Sequence, residues 1–183
     1  YVRNNPLKYI DPTGHARYKV FFTNISVGEV YGVTQMEGTV FAEQRNLQGY
    51  YDAADFSGIL HGPEVSLTPL GTSYQMIDLE DNYAKADVSR IEGPASYWSS
   101  TVGFGDGESI GYYQFGELHS PAGKELTWDK TKKTFDWSFE YRSSGEIRAS
   151  RYYQVDEIPT KQEFTNMDNN PLGKNENYVK RFN

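Results

Sequence analysis

Groups able to move protons are scarce in this chain. There are three histidines, His15, His61 and His119, and no cysteine, which excludes a thiol nucleophile, a Cys-based zinc site and a disulfide framework. His61 follows the apolar pair Ile59-Leu60 and precedes Gly62-Pro63; His119 follows Glu117-Leu118 and precedes Ser120-Pro121. Both positions read as strand-to-turn transitions, the rims on which barrels and sandwiches place binding groups. A solvated histidine is equally at home there. Combined with Glu117, Arg148 and Arg151, they suggest metal-free RNA cleavage: one group removes the 2′-hydroxyl proton, a second protonates the leaving oxygen, and an arginine stabilises the phosphorane. The candidate catalytic residues are therefore His61, His119, Glu117 and Arg148. Arg148 and Arg151 have opposite parity on a regular strand, so only one of them serves a given pocket unless a bulge intervenes.

A second catalytic arrangement follows from residue order. Arg17, Ser99-Ser100-Thr101 and Gln154-Val155-Asp156-Glu157 are similar to the Arg, Ser-Thr-Ser and Glu-x-Glu elements of ADP-ribosyltransferases. The last element departs from that pattern, because Asp156 stands where Glu is expected and Glu157 is one place late, and a one-place shift on a strand reverses the side chain's direction. The chain has no calcium-loop D-x-D-x-D-G, no G-x-x-x-x-G-K-S/T phosphate loop, no G-x-S-x-G elbow and no H-E-x-x-H. No metal or cofactor is implied.

These residues must be positioned by strands. Tyr (15) and Phe (10) are abundant, Gly (17) supplies turns, and long runs of helix formers are scarce. The clearest strand is 134–141, where Phe135, Trp137, Phe139 and Tyr141 alternate with Asp136, Ser138 and Glu140. That period of two predicts an aromatic face in the core. Strands at 124–128 and 146–155 flank it and predict a three-stranded meander. Asp106-Gly107 predicts a hairpin turn between strands 96–104 and 108–118. Further strands are expected at 17–24, 25–33, 37–43, 58–67, 73–79 and 85–92, while 49–56, with Ala53 and Ala54, reads as a possible short helix. In each of the pairs Tyr112-Tyr113 and Tyr152-Tyr153 one ring must face outward. The expected fold is all-β, an antiparallel up-and-down barrel or sandwich of about 9–11 strands with at most a short helix. Residues 16–159 form the domain, and the Asn-, Lys- and Glu-rich stretch 160–183 a loosely packed tail.

At 183 residues the chain suits one domain with a real core. Its 18 basic and 25 acidic residues give a net charge of −7, which disfavours general nucleic-acid binding. No apolar run is long enough to form a transmembrane helix, and the start carries no signal segment.

The first fourteen residues, Y-V-R-N-N-P-L-K-Y-I-D-P-T-G, hold Asn4, Asn5, Pro6, Leu7, Asp11, Pro12 and Gly14 in order. This stretch resembles the closing motif of the RHS/YD-repeat associated core. The resemblance implies that residues 1–15 are a remnant of that core and that a variable payload follows, often a toxin directed at other bacteria or at a host. It further implies export as part of a larger polypeptide, action in or on a target cell, and two partners: the repeat shell of the parent polypeptide and a cognate immunity protein. Self-cleaving members carry a second D-P-x-G, which this chain lacks. Activity stays open between an enzyme of the two kinds above and a non-catalytic β-barrel that binds a lipid, a small ligand or a protein.

Overall fold

A computed structural model describes residues 14–66, 70–103, 107–121, 125–129, 136–160 and 179–180. The strands are β1 (Arg17–Gly28), β2 (Tyr31–Arg45), β3 (Tyr51–Ser66), β4 (Leu70–Glu80), β5 (Gly93–Gly103), β6 (Gly107–Phe115), β7 (Leu118–His119), β8 (Glu125–Asp129), β9 (Asp136–Arg142), β10 (Ser144–Val155) and β11 (Val179–Lys180). The described residues contain no α-helix, and Val88–Ile91 form a 3-10 turn. The motif in residues 1–13 and most of the tail lie outside the described residues.

All strand pairings are antiparallel, and they close into an eight-stranded barrel with one strand outside. β1, β2 and β3 follow one another through hairpins, and β4 returns to the free side of β1, which is Greek-key order. β9 and β10 act as a single line between β3 and β5: Glu64 pairs with Glu140 and His61 with Ser144 in nearly one register, and β5 pairs with both segments. β7 and β8 both pair with β6, and Glu80 of β4 opposite His119 of β7 completes the ring.

The all-β barrel expected from composition is the fold. β5 and β6 pair as an antiparallel hairpin, as expected, with Val102 opposite Glu108; Gly107 belongs to β6, and the turn expected at Asp106-Gly107 lies outside the described residues at Asp106. Several local expectations differ. Residues 85–92 hold the 3-10 turn Val88–Ile91 in place of a strand, and the strand expected at 108–118 is broken at Gly116-Glu117 into β6 and β7. The meander over 124–155 does not form: β8 pairs with β6, and β9 continues into β10 without reversing, because Ser143 N–H donates to the His61 carbonyl (3.0 Å) and keeps the chain on β3. Residues 51–56 are strand, not helix. The small Ala53 and Ala54 lie opposite Tyr153 and Tyr152 on β10. The first turn falls between Gly28 and Tyr31, four residues later than the expected break.

The largest correction concerns β9. Its aromatic face looks outward, leaving Phe139 41% and Tyr141 44% exposed, while Ser138 and Arg142 are buried inside the barrel. Phe135 lies outside the described residues, as does the Trp137 side chain. The cause is visible across the ring. At the end near Arg17 the interior is apolar, with Tyr18, Val20, Phe22, Phe56, Ile77, Leu79 and Phe115 buried together. Toward the Gly28–Tyr31 turn it receives Ser26, Thr34, Ser99, Ser138, Glu64 and Arg142. A second small cluster of Phe21, Phe41, Ala53, Tyr153 and Val155 packs on the outer face.

Arg142 is fully buried and organises the polar end. Its Nη2 ion-pairs with Glu64 Oε2, Nε donates to Thr34 Oγ1 (2.8 Å) and Nη1 to the Gly62 carbonyl (3.2 Å). The Tyr97 hydroxyl lies 3.1 Å from Thr34 Oγ1 and 3.0 Å from Glu140 Oε2, and the Tyr97 ring stacks on Tyr113 at 5.1 Å. The site depends on close backbone approach: a Cβ on Gly32 would sit 2.6 Å from Glu64 Oε2 and 2.7 Å from Arg142 Nη2. Removing one partner leaves an uncompensated buried charge. Arg142→Met is expected to lower unfolding free energy by about 3–5 kcal/mol in urea titration, whereas Arg142→Met combined with Glu64→Gln recovers much of that loss because no lone charge remains.

Candidate functional site

A concavity lies at the opposite end, between the ends of β3 and β10 and the β4–β5 connection. This connection is held by Tyr18, whose hydroxyl donates to Asp81 Oδ2 (2.7 Å) and accepts from the Asp87 amide (2.8 Å). Asp81 also accepts from the Tyr83 amide (2.7 Å), and Asp87 caps the 3-10 turn by accepting from Ser89 N–H (3.0 Å). Val88 and Ile91 of that turn are buried in the barrel core. The connection is thereby fastened across the mouth.

The resulting cavity has a volume of about 1170 Å³ and is lined by Gln48, Asp52, Tyr83, Lys85, Asp87, Arg90, Tyr152 and Gln154, among others. Asp52 Oδ1 accepts from Asn46 Nδ2 (2.9 Å) and from Gln154 Nε2 (3.1 Å), and Gln154 Nε2 also lies 3.4 Å from Gln48 Oε1. Gln154 Oε1 is buried without a hydrogen-bond partner. Tyr83 and Tyr152, which line this mouth, each expose more than half of their surface. Arg90 stacks over the Tyr83 ring at 3.7 Å, which orients the ring.

The structure does not gather the sequence-derived catalytic candidates. His61 lies within β3 opposite Val33, and Val33 is opposite Val27 of β1. His119 is opposite Glu80, which is opposite Arg17. Those rows are ten residues apart along β1, roughly 30 Å of strand. Glu117, in the tight β6–β7 turn, ion-pairs with Arg90 at 2.8 Å. Arg148 is exposed on β10 and holds Glu146 at 3.2 Å. The parity argument about the two arginines has a definite outcome: β10 carries a register shift between Ala149 and Arg151, so Arg148 opposite Ser57 and Arg151 opposite Asp55 share the outer face. Arg151 Nη2 lies 2.9 Å from Asp55 Oδ2. The ADP-ribosyltransferase-like elements are likewise dispersed, with Arg17 at the start of β1, Ser99 buried inside β5 and Gln154 at the mouth.

The residues that sequence reasoning missed are Asp52 and Tyr83, neither of which stands in a motif; Gln154 was singled out, but as part of an ADP-ribosyltransferase-like element and not as a wall of this cavity. The Tyr152-Tyr153 pair does split between the two faces, but Tyr153 is the outward ring, buried in the outer cluster, and Tyr152 on the cavity side is the exposed one. In Tyr112-Tyr113, Tyr113 is buried in the barrel core. His15, given no role in the sequence reading, has Nδ1 3.4 Å from Glu80 Oε1. Among the described residues no cluster of three His, Asp or Glu side chains forms a metal cage. Comparison of the chain with protein-family models, characterised proteins and solved structures gives no match.

Three phenols are held neutral by their surroundings. Burial raises Tyr18, Tyr153 and Tyr97, with Asp81, Asp55 and Glu140 adding to it respectively. A group whose folded value lies above its unfolded value contributes stability that is complete below the ordinary phenol value of 10.0 and is lost as pH rises past it. Alkaline titration followed by ultraviolet absorbance is expected to show these three tyrosines ionising together with loss of β circular dichroism, after the exposed tyrosines have titrated.

Proposed function

We propose that this chain is the C-terminal payload of an RHS-repeat polypeptide, exported within it, and that it acts in or on a target cell by binding and not by catalysis. The family assignment rests on the N-N-P-L and D-P-T-G stretch of the first fourteen residues. The activity rests on one observation, the cavity at the barrel mouth, where the exposed Tyr83 and Tyr152 rings and the polar Asp52 and Gln154 line one concave surface. Its lining suits a small polar ligand that carries N–H or O–H donors and a face able to lie on an aromatic ring. The parent repeat shell and a cognate immunity protein are the macromolecular partners implied by this reading.

The catalytic alternatives have less support. A metal-independent RNase needs its base, acid and arginine within reach of one phosphate. His61 and His119 stand at opposite ends of the barrel, and Glu117 and Arg148 already have ion-pair partners. An ADP-ribosyltransferase needs its arginine, serine and acid around one dinucleotide, and the matching residues here are dispersed.

Expression of the chain in bacteria, once in the cytoplasm and once routed to the periplasm, tests the reading through growth. Growth inhibition in either compartment is expected to persist in His61→Ala and His119→Ala and to be lost in Tyr152→Ala with Gln154→Ala. Inhibition abolished by His119→Ala alone, in protein that remains folded, would overturn it in favour of an enzyme.

A further inference from the structure

The outer face of the barrel at the Gly28–Tyr31 end is predominantly apolar over three successive ladder rows, with His61 in the first and Ser100, opposite Phe139, in the third as its polar members. In the first, Val27 pairs with Val33 and Val33 with His61. In the second, Tyr31 pairs with Pro63, and Tyr141 with Trp98, which in turn pairs with Tyr112. In the third, Val65 pairs with Phe139, whose ring stacks on Trp98 at 6.3 Å. None of these positions holds Lys, Arg, Asp or Glu, and Val27, Tyr31 and Val65 are each more than half exposed. Single exposed apolar residues are ordinary, but a contiguous band is not.

The band coincides with the reversal of polarity inside. Along β1, Tyr18, Val20 and Phe22 face inward; farther on, Asn24 and Ser26 face inward while Ile25 and Val27 are exposed. The register of β1 against β2 and β4 is unbroken through this change, so no bulge turns the strand over. One end of the barrel thus has the pattern of a strand in water and the other the pattern of a strand whose outside is apolar and whose inside is polar. The latter is the arrangement of strands that face hydrocarbon, where a closed barrel is admissible because its backbone groups are already paired.

We propose that this end of the barrel seats in the apolar layer of a lipid surface. The rings of Tyr31, Tyr141 and Trp98 suit the boundary between headgroups and acyl chains, since each is apolar with one polar tip. The three rows cover roughly 13 Å along a strand, about half the band of a spanning barrel, so the seat is in one leaflet. With a net charge of −7, attraction is to neutral and not to anionic headgroups. The inference is independent of the ligand at the mouth, which lies at the other end.

Flotation of the full chain with phosphatidylcholine vesicles tests it. The chain is expected to float with neutral vesicles and less with vesicles containing phosphatidylserine. Val27→Asp with Phe139→Asp lowers the bound fraction on the order of ten-fold, while Ser57→Asp, outside the apolar rows, leaves it unchanged. In the unmodified chain, acyl-brominated lipid is expected to quench tryptophan emission, and Trp98→Phe to remove part of that quenching. Folded chain that stays unbound at millimolar lipid would overturn the proposal. So would concentration-dependent dimerisation that the double Asp variant abolishes, since a second copy of the chain would then be what covers the band.

Discussion

A buried guanidinium must be matched on every side, and in this barrel that requirement organises one whole end. Arg142 sits inside a closed sheet with Glu64 as counter-ion and Thr34 and the Gly62 carbonyl as acceptors. Removing two charges from water costs several kcal/mol each unless the geometry returns it. The return here needs β3 to pass close over the first hairpin and β9 to turn its polar face inward. Gly32 and Gly62 allow that approach, because a side chain at either would meet Glu64 or the Tyr141 carbonyl. The outward aromatic face of β9 is the consequence: a strand has two faces, and the inner one is taken by Ser138, Glu140 and Arg142.

The same barrel solves its other end by different means. There the core is apolar, and the β4–β5 connection is pinned by the Tyr18 hydroxyl between Asp81 and Asp87. Fastening a connection across the mouth leaves space between it and the ends of β3 and β10, and that space is the cavity. The bulge after Ala149 sets its wall. It turns Tyr153 and Val155 onto the outer cluster and Tyr152 and Gln154 to the cavity side, with Gln154 held against Asp52. A cavity and an apolar flank at opposite ends are compatible on one barrel because each relies on its own set of side chains.

Much of the secondary structure was legible. Alternation and glycine-bearing turns pointed to strands, Asp106-Gly107 to the β5–β6 hairpin, and adjacent tyrosines to rings on opposite faces. The strand at 134–141 was found, but its face was misread, because period two establishes that a strand has two unlike faces and not which of them meets the interior. The meander failed for a related reason: Arg142 to Gly145 looks like a turn by composition, yet the buried Arg142 and the Ser143–His61 hydrogen bond carry the chain straight on. The histidines were misleading as a site, since nothing local records that their rows lie ten residues apart.

By itself the sequence determined the all-β class, the absence of thiol and disulfide chemistry and the acidic balance. Those are properties of composition and of local period, and they need no partner strand. Tertiary structure decided the closure order, the inward face of β9, the common outer side of Arg148 and Arg151, and the meeting of Asp52, Tyr83, Tyr152 and Gln154. Each depends on pairing between residues distant in the chain, where a register shift of one place or the burial of one charge changes which side chains meet.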